Sequence, residues 1–143
     1  MEKTLVFTED DMGKTLVFIK PDGVQRGLVG TVLARFEQRG ITIERLELKQ
    51  LTESEVDAHY QEHLERDFYP HLKKYIMSGP IVIMVLSADN IISIVRKMVG
   101  ATNSADAEPG TIRGDYALNT QNNIIHASDS EASAKREIAN FFK

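Results

Sequence analysis

The sequence predicts one α+β domain, built as a sandwich in which helices cover one face of an antiparallel sheet. The chain has 143 residues, of which 42% are hydrophobic, and this suffices for one compact core. Short runs rich in β-branched residues alternate with segments whose apolar residues recur at helical spacing. Their order resembles β-α-β-β-α-β, which predicts four strands in one sheet.

The N-terminus contains a near repeat, because MEKTLVF at residues 1–7 resembles MGKTLVF at residues 12–18. Two copies with so short a period do not make a repeat protein. We therefore interpret residues 1–11 as an N-terminal extension or a duplicated start, and residues 12–143 as the domain.

The first predicted strand covers residues 15–19, which are apolar and β-branched and are followed by Lys20-Pro21-Asp22-Gly23. Proline and glycine make this tetrapeptide a turn signal. A lysine at the end of a strand can meet a phosphate or a sugar hydroxyl, but it can equally be a solvated turn residue. The chain contains no P-loop motif.

A helix and a second strand are predicted next. Apolar residues recur at helical spacing between 28 and 36, and Gly40 ends that helix. Apolar residues occupy every second position in 41–48, but they change from odd to even positions between Ile43 and Leu46, which predicts a bulge in one long strand. Thr52 and Glu55 then form the pattern of a capping box at the next helix start.

The central part of the chain predicts a buried strand, a helix and a long loop. The unbroken apolar run 81–86 indicates a central strand, and residues 89–99 have a helical pattern. Residues 101–121 have little apolar periodicity, and loops of this length often carry function.

The chain closes with a short predicted strand over residues 122–127 and a helix that is capped by Ser128 or Asp129. The predicted apolar side of this helix consists of Ala134, Ile138, Phe141 and Phe142.

Composition excludes several classes of function. The net charge is −4, from 17 basic and 21 acidic residues, and it creates no general attraction for nucleic acid or anionic lipid. The absence of cysteine excludes disulfides and cysteine-based zinc sites. We find no apolar run that fits a signal peptide or a membrane span, so we expect a cytoplasmic protein without a membrane or specific nucleic-acid partner.

His126 is the strongest candidate for chemistry. It lies at the end of a predicted strand, just ahead of a helix start. Imidazole titrates near pH ~6.5, so the ring is largely neutral in the cytoplasm and can act as a nucleophile. The helix N-terminus favours an arriving anion, and Ser128 and Glu137 can orient the ring. The alternative is a histidine that only packs and hydrogen-bonds.

Three further groups are candidates for binding. Arg96, Thr102 and Arg113 lie in or near the long loop and would suit a polyphosphate if they converge, although each could be an ordinary surface group. Phe68 is either a core residue or an exposed ring that stacks on a nucleobase.

A zinc site is an open alternative around His59-Tyr60-Gln61-Glu62-His63, which fits H-x-x-E-H with the histidines one helical turn apart. A catalytic zinc site also needs a third protein ligand and an open coordination position. The other interpretation is a solvated helix face.

Five segments, in this order and spacing, together resemble the nucleoside diphosphate kinase family, and the similarity covers about residues 14 to 142. Each segment alone is a weak signal, whereas the ordered set is highly specific. The segments are Lys20-Pro21-Asp22-Gly23-Val24, Ser78-Gly79-Pro80, Gly100-Ala101-Thr102-Asn103, Pro109-Gly110-Thr111-Ile112-Arg113-Gly114-Asp115 and Asn123-Ile124-Ile125-His126-Ala127-Ser128-Asp129-Ser130.

The resemblance implies a ferredoxin-like fold and a ping-pong transfer of the γ-phosphate from a triphosphate such as ATP to a nucleoside diphosphate, with broad base and sugar tolerance. His126 would be phosphorylated on its pros nitrogen. The resemblance also implies the roles of nine other residues: Glu137 and Ser128 position the histidine, Tyr60 orders the pocket, Lys20 and Asn123 contact the ribose, Phe68 stacks on the base, and Arg96, Thr102 and Arg113 hold the phosphates.

The resemblance further implies Mg²⁺ carried by the nucleotide phosphates and a homo-oligomer, a hexamer or a tetramer. Three features depart from the family pattern. Ala127 stands where many relatives have glycine, Ser104 stands where proline is common, and the chain ends at Lys143 without a longer tail. The last two leave the oligomeric state open. A binding or regulatory module on the same fold is the alternative function.

Overall fold

The computed structural model describes residues 13–143, and the near repeat and the domain boundary expected after residue 11 lie outside the described residues. Four strands form one antiparallel sheet in the order β2-β3-β1-β4. The strands are β1 (Lys14–Ile19), β2 (Thr42–Lys49), β3 (Ile81–Ser87) and β4 (Ile125–Ala127). This is the strand order of a β-α-β-β-α-β chain folded into one sheet, so the predicted ferredoxin-like α+β class is confirmed.

Seven α-helices connect or follow these strands in the described part of the chain. They are α1 (Pro21–Gln25), α2 (Val29–Arg39), α3 (Glu53–His59), α4 (Tyr69–Ile76), α5 (Ile91–Val99), α6 (Ile112–Tyr116) and α7 (Glu131–Phe141). Two 3₁₀ turns lie at Gln61–His63 and Ser104–Asp106. In residues 13–143, no helix combines the length and the apolar character needed to cross a bilayer.

Helices cover both faces of the sheet, so the expectation of a single covered face is wrong. Side chains alternate between faces along a strand, and Val17 and Leu16 of β1 belong to two different apolar clusters. The Val17 cluster includes Phe36 of α2 and Val95 of α5. The Leu16 cluster includes Val56 of α3 together with residues of α4 and α7. The central strands are therefore buried on both sides.

Several local predictions are confirmed. Helix α2 ends at Gly40, which takes the left-handed conformation with φ 93° that suits a residue without a side chain. The pairing of β2 with β3 shifts register between Ile43 and Arg45, which is the predicted irregularity. Thr52 and Glu55 form the predicted capping box at the start of α3.

Other local predictions are wrong. Pro21 opens a short helix, α1, because proline is well suited to a first helical position. The loop 101–121 is interrupted by a 3₁₀ turn and by α6. The strand predicted from residue 122 begins only at Ile125, since Ile124 has φ 76°. Helix α7 is capped by Ser130, whose hydroxyl accepts a hydrogen bond from the Ser133 backbone N–H.

Candidate active site

Strand pairing fixes the position of His126. This residue lies in β4 and is paired with Phe18 of β1. The two rings are stacked with their centroids 4.8 Å apart. A ring held by a strand and by a stacked neighbour has little rotational freedom, and the His126 side chain is still 23% exposed. His126 is therefore anchored and accessible.

Helix α7 supplies the carboxylate that orients this ring. His126 Nε2 lies 2.9 Å from Glu137 Oε1, and the Ser128 hydroxyl donates to the same oxygen at 2.6 Å. Burial raises the pKa of Glu137, but the bonds from His126 and Ser128 outweigh this and hold the pKa below its usual range. An ionised Glu137 can only accept, so Nε2 carries the proton and Nδ1 keeps its lone pair.

His59, at the end of α3, was a candidate only for a zinc site with His63, and the sequence did not predict that it lies beside His126. Its ring meets the His126 ring edge-on at 4.7 Å, and its Nδ1 lies 3.9 Å from Glu137 Oε2. The side chain is only 4% exposed, and burial, reinforced by the charge of His126, lowers the pKa of His59 to about 3. His59 is therefore neutral at cytoplasmic pH.

The predicted arrangement of His59 and His63 on one helix is wrong. Helix α3 ends at His59, and His63 closes the following 3₁₀ turn. Tyr60 lies between them, with its ring 4.5 Å from the ring of His59, and burial raises the pKa of Tyr60 so that its hydroxyl stays protonated. The H-x-x-E-H pattern therefore spans the end of α3, and its two histidines do not lie on one helix.

Lys20 and Asn123 meet, although they are far apart in the sequence. Lys20 Nζ donates to Asn123 Oδ1 at 2.7 Å, and Asn123 Nδ2 donates to the backbone carbonyl of Thr102 at 3.1 Å. Burial and the nearby charge of Arg113 lower the pKa of Lys20 to about 8. Asp22, a residue missed from the sequence, supports this corner by accepting from the Ile124 backbone N–H at 3.2 Å.

Two guanidinium groups bind backbone carbonyls of the residues that flank His126 in the chain. Arg113 donates to the carbonyl oxygens of Gly100 and Ile125, and Arg96 donates to the carbonyl of Ala127. These carbonyl bonds do not neutralise the two charges. Burial and repulsion from Arg96 lower the pKa of Arg113 to about 10, so Arg113 remains positive near neutral pH.

The local geometry of α6 explains why Arg113 is buried although it lies within the long loop. Thr111 caps the helix by accepting from the Gly114 backbone N–H at 2.9 Å. A Cβ on Gly114 would lie 1.9 Å from the Glu108 carbonyl oxygen, so only glycine permits this approach. Arg113 is consequently buried, with 4% of its surface exposed.

Phe68 lies at the outer edge of the site. Half of its surface is exposed, and its ring is 5.4 Å from the ring of His63. Of the predicted residues, Thr102 contributes its backbone carbonyl to the contact with Asn123, and its side chain is exposed.

The fold and the site together define an α+β protein with an oriented, accessible histidine near a cluster of positive groups. Comparisons with known proteins narrow this class. The family model of nucleoside diphosphate kinase matches residues 13–143. A nucleoside diphosphate kinase of Methanocorpusculum labreanum is 57% identical over 131 residues, which are 92% of this chain and 88% of that protein. One from Thermus thermophilus is 52% identical over 132 residues, covering 92% and 96%.

Solved structures agree with these sequence matches. A nucleoside diphosphate kinase family protein from Babesia bovis superimposes with a TM-score of 0.90 at 39% identity, covering 92% of this chain and 89% of that one. A halophilic nucleoside diphosphate kinase from Halobacterium salinarum, solved in complex with CDP, gives 0.88 at 42% identity, covering 91% and 87%. The chain belongs to the nucleoside diphosphate kinase family and is a phosphotransferase of that class.

Proposed function

We propose that this chain transfers the γ-phosphate of a nucleoside triphosphate, typically ATP, to a nucleoside diphosphate through a phosphorylated His126. The observation that carries the proposal is the bond between His126 Nε2 and the ionised Glu137, which leaves the lone pair on Nδ1. Nδ1 is the pros nitrogen, and it is the nitrogen available to attack phosphorus.

The reaction balances in two half-steps. The Nδ1 lone pair forms a bond to the γ-phosphorus while the bond from phosphorus to the bridging oxygen breaks, and the diphosphate leaves. The ring becomes an imidazolium whose Nε2–H faces Glu137, so the carboxylate stabilises the new positive charge. A second diphosphate then takes the phosphoryl group from Nδ1 by the reverse step.

The remaining residues would bind and align the nucleotide. Arg96, Arg113 and the exposed Thr102 hydroxyl would hold the phosphates, since phosphoryl transfer depends on positioning and charge stabilisation. Lys20 and Asn123, already in contact, would meet the ribose hydroxyls. Phe68 would stack on the base without distinguishing one base from another, which gives broad tolerance. Tyr60 would complete the pocket wall beside His59.

Magnesium is proposed to enter as part of the nucleotide substrate. Mg²⁺ prefers oxygen ligands in octahedral geometry. Within residues 13–143, the one group of side chains with metal-ligand spacing consists of His59, His126 and Glu137, which offer two nitrogens and a single carboxylate. This donor set fits Mg²⁺ poorly, whereas the nucleotide phosphates supply oxygens.

We also propose a cytoplasmic homo-oligomer, either a hexamer or a tetramer. Strand β2 lies at one edge of the sheet, and Leu46 and Leu48 on it are 47% and 68% exposed. Leu118, in the long loop, is 78% exposed. Exposed apolar side chains on an edge strand favour association with another chain.

The mechanism is tested by mixing γ-labelled ATP with the wild-type protein and with His126→Ala. Wild-type protein should acquire an acid-labile label that GDP removes as GTP, and the variant should acquire none while keeping its circular dichroism spectrum. Labelling of His126→Ala at a near-normal rate would contradict the mechanism. ATP binding by wild-type protein without any label would favour a binding module.

A further inference from the structure

We propose that His59, His126 and Glu137 form an inhibitory site for a divalent transition-metal ion of the zinc type. One nitrogen from each histidine and one oxygen from Glu137 lie within 4.8 Å of one another. Two imidazoles and a carboxylate are a donor set that zinc uses in proteins, with water in the fourth position. The three side chains come from helix α3, helix α7 and strand β4.

His59 provides the independent observation for this site. Its Nδ1 is buried and has no hydrogen-bond partner among the described residues. The side chain is 4% exposed, and this nitrogen lies 3.9 Å from Glu137 Oε2. A buried polar atom without a partner is costly, and a metal ion in this position would satisfy it.

The site requires only a small rearrangement and has a route of entry. His126 Nε2 and Glu137 Oε1 are already 2.9 Å apart, a spacing that two ligands of one zinc ion can adopt. Phe18 packs against both imidazole rings, at 4.8 Å from His126 and 5.6 Å from His59, and limits their rotation. His126 is 23% exposed, so an ion reaches the cluster past its ring.

Metal binding here would inhibit the nucleophile by changing its tautomer. Without metal, Nε2 holds the proton and Nδ1 holds the lone pair. A metal on Nε2 needs the lone pair of that nitrogen, so the ring proton must reside on Nδ1. A protonated Nδ1 cannot attack phosphorus. This inhibitory consequence rests on the proposed role of His126, whereas the metal site itself does not.

The first test measures Zn²⁺ binding to nucleotide-free, magnesium-free protein by competition with a chromophoric zinc indicator. We expect one zinc ion per chain, with affinity reduced at least about tenfold in His59→Gln and in His126→Gln. His63→Gln is the matched control, because His63 also has a buried Nδ1 without a partner but lies outside the cluster. It should bind zinc as the wild type does.

Two results would overturn the site. The first is wild-type protein that binds no zinc. The second is a loss of affinity in His63→Gln equal to that in His59→Gln, because it would place the metal between those two histidines instead. Circular dichroism of each variant shows whether it is folded. The absorption spectrum of the Co²⁺ form of the wild type needs no variant, and tetrahedral bands are expected from it.

The second test follows the proton by ¹⁵N NMR of histidine-labelled wild type. Saturating zinc should convert the His126 Nδ1 signal from that of an unprotonated nitrogen to that of a protonated one. A signal that stays unprotonated would refute the inhibition. Labelling from γ-labelled ATP should slow at least about tenfold with zinc in the wild type and change little in His59→Gln. Zinc binding by a protein that never labels would refute only the phosphohistidine mechanism.

Discussion

At the scale of single residues, the proposed mechanism depends on one carboxylate, which selects the nitrogen of His126 that reacts. Glu137 is buried, ionised and bonded to Nε2. In the proposed mechanism it fixes the tautomer before reaction and stabilises the positive charge that forms on the ring during reaction. A residue with both effects stabilises the transition state more than it strengthens the binding of substrate.

We predict that Glu137→Gln slows phosphorylation of His126 about 100-fold while leaving the KM for ATP nearly unchanged. Glutamine has the same shape but no charge, so it leaves the imidazolium unstabilised. Rapid-quench measurement with labelled ATP gives the rate. Ser128→Ala, which removes one neutral bond to the same oxygen, should cost about tenfold or less. Equal rates in Glu137→Gln and wild type would contradict the argument.

The lowered pKa of Lys20 leads to a prediction about the activity at alkaline pH. Its pKa is lowered to about 8, so the amine is charged below that pH and loses its charge as the pH rises through it. We predict that kcat/KM for a nucleoside diphosphate falls with an apparent pKa near 8. In Lys20→Arg, which stays charged, this decline should disappear even though activity is lower. A wild-type profile that stays flat to pH 10 would exclude Lys20 from nucleotide binding.

The sequence predicted the site residues at this scale through short motifs, but it did not predict their neighbours. Lys20, Asn123 and Arg113 belong to ordered segments that are recognisable without coordinates. The contact of His59 with His126 depends on where α3 ends and how it packs on β1. Periodicity shows that a helix exists and does not give the direction of its last side chain.

At the scale of secondary-structure elements, capping residues determine where helices begin and end. The boundaries predicted from the capping box at Thr52 and from Gly40 are confirmed. The cap predicted for α7, Ser128 or Asp129, lies one or two residues before the observed cap, since the Ser128 hydroxyl donates to Glu137 and Ser130 caps the helix. Competition between a cap and a tertiary contact cannot be read from sequence alone.

We predict that Thr52→Ala lowers the free energy of unfolding by about 1 kcal/mol. The substitution removes the side chain that accepts from the Glu55 backbone N–H. Urea denaturation measures the difference. Ser54→Ala, an exposed neighbour in the same first turn, is the control and should stay within about 0.5 kcal/mol of wild type. Equal stabilities of the two variants would show that the capping box does not stabilise α3.

At the scale of the whole molecule, the sheet divides the interior into two apolar clusters. One lies beneath α2 and α5, and the other lies beneath α3, α4 and α7. The sequence predicted the order of the elements along the chain but placed the helices on one face of the sheet. Apolar residues on both parities of β1 and β3 were the available signal, since a strand covered on both sides has no polar face.

We predict that Leu48→Asp shifts the protein to a smaller assembly. The side chain is 68% exposed on an edge strand, and a charge there would be costly to bury between subunits. Sedimentation velocity measures the change. Leu64→Asp is the control, since Leu64 is 43% exposed and lies outside the sheet. Unchanged sedimentation of Leu48→Asp would remove β2 from the subunit interface.

The buried Arg113 has a further consequence for how substrate and fold are linked. The unliganded protein holds this cation away from water and close to Arg96, and the lowered pKa of Arg113 records the cost. Under the proposed function, a polyphosphate bound to both guanidinium groups would offset that repulsion, so binding would also stabilise the folded protein. Under the proposed function, nucleotide would therefore act as a stabilising ligand, and the free energy of unfolding would rise with nucleotide concentration.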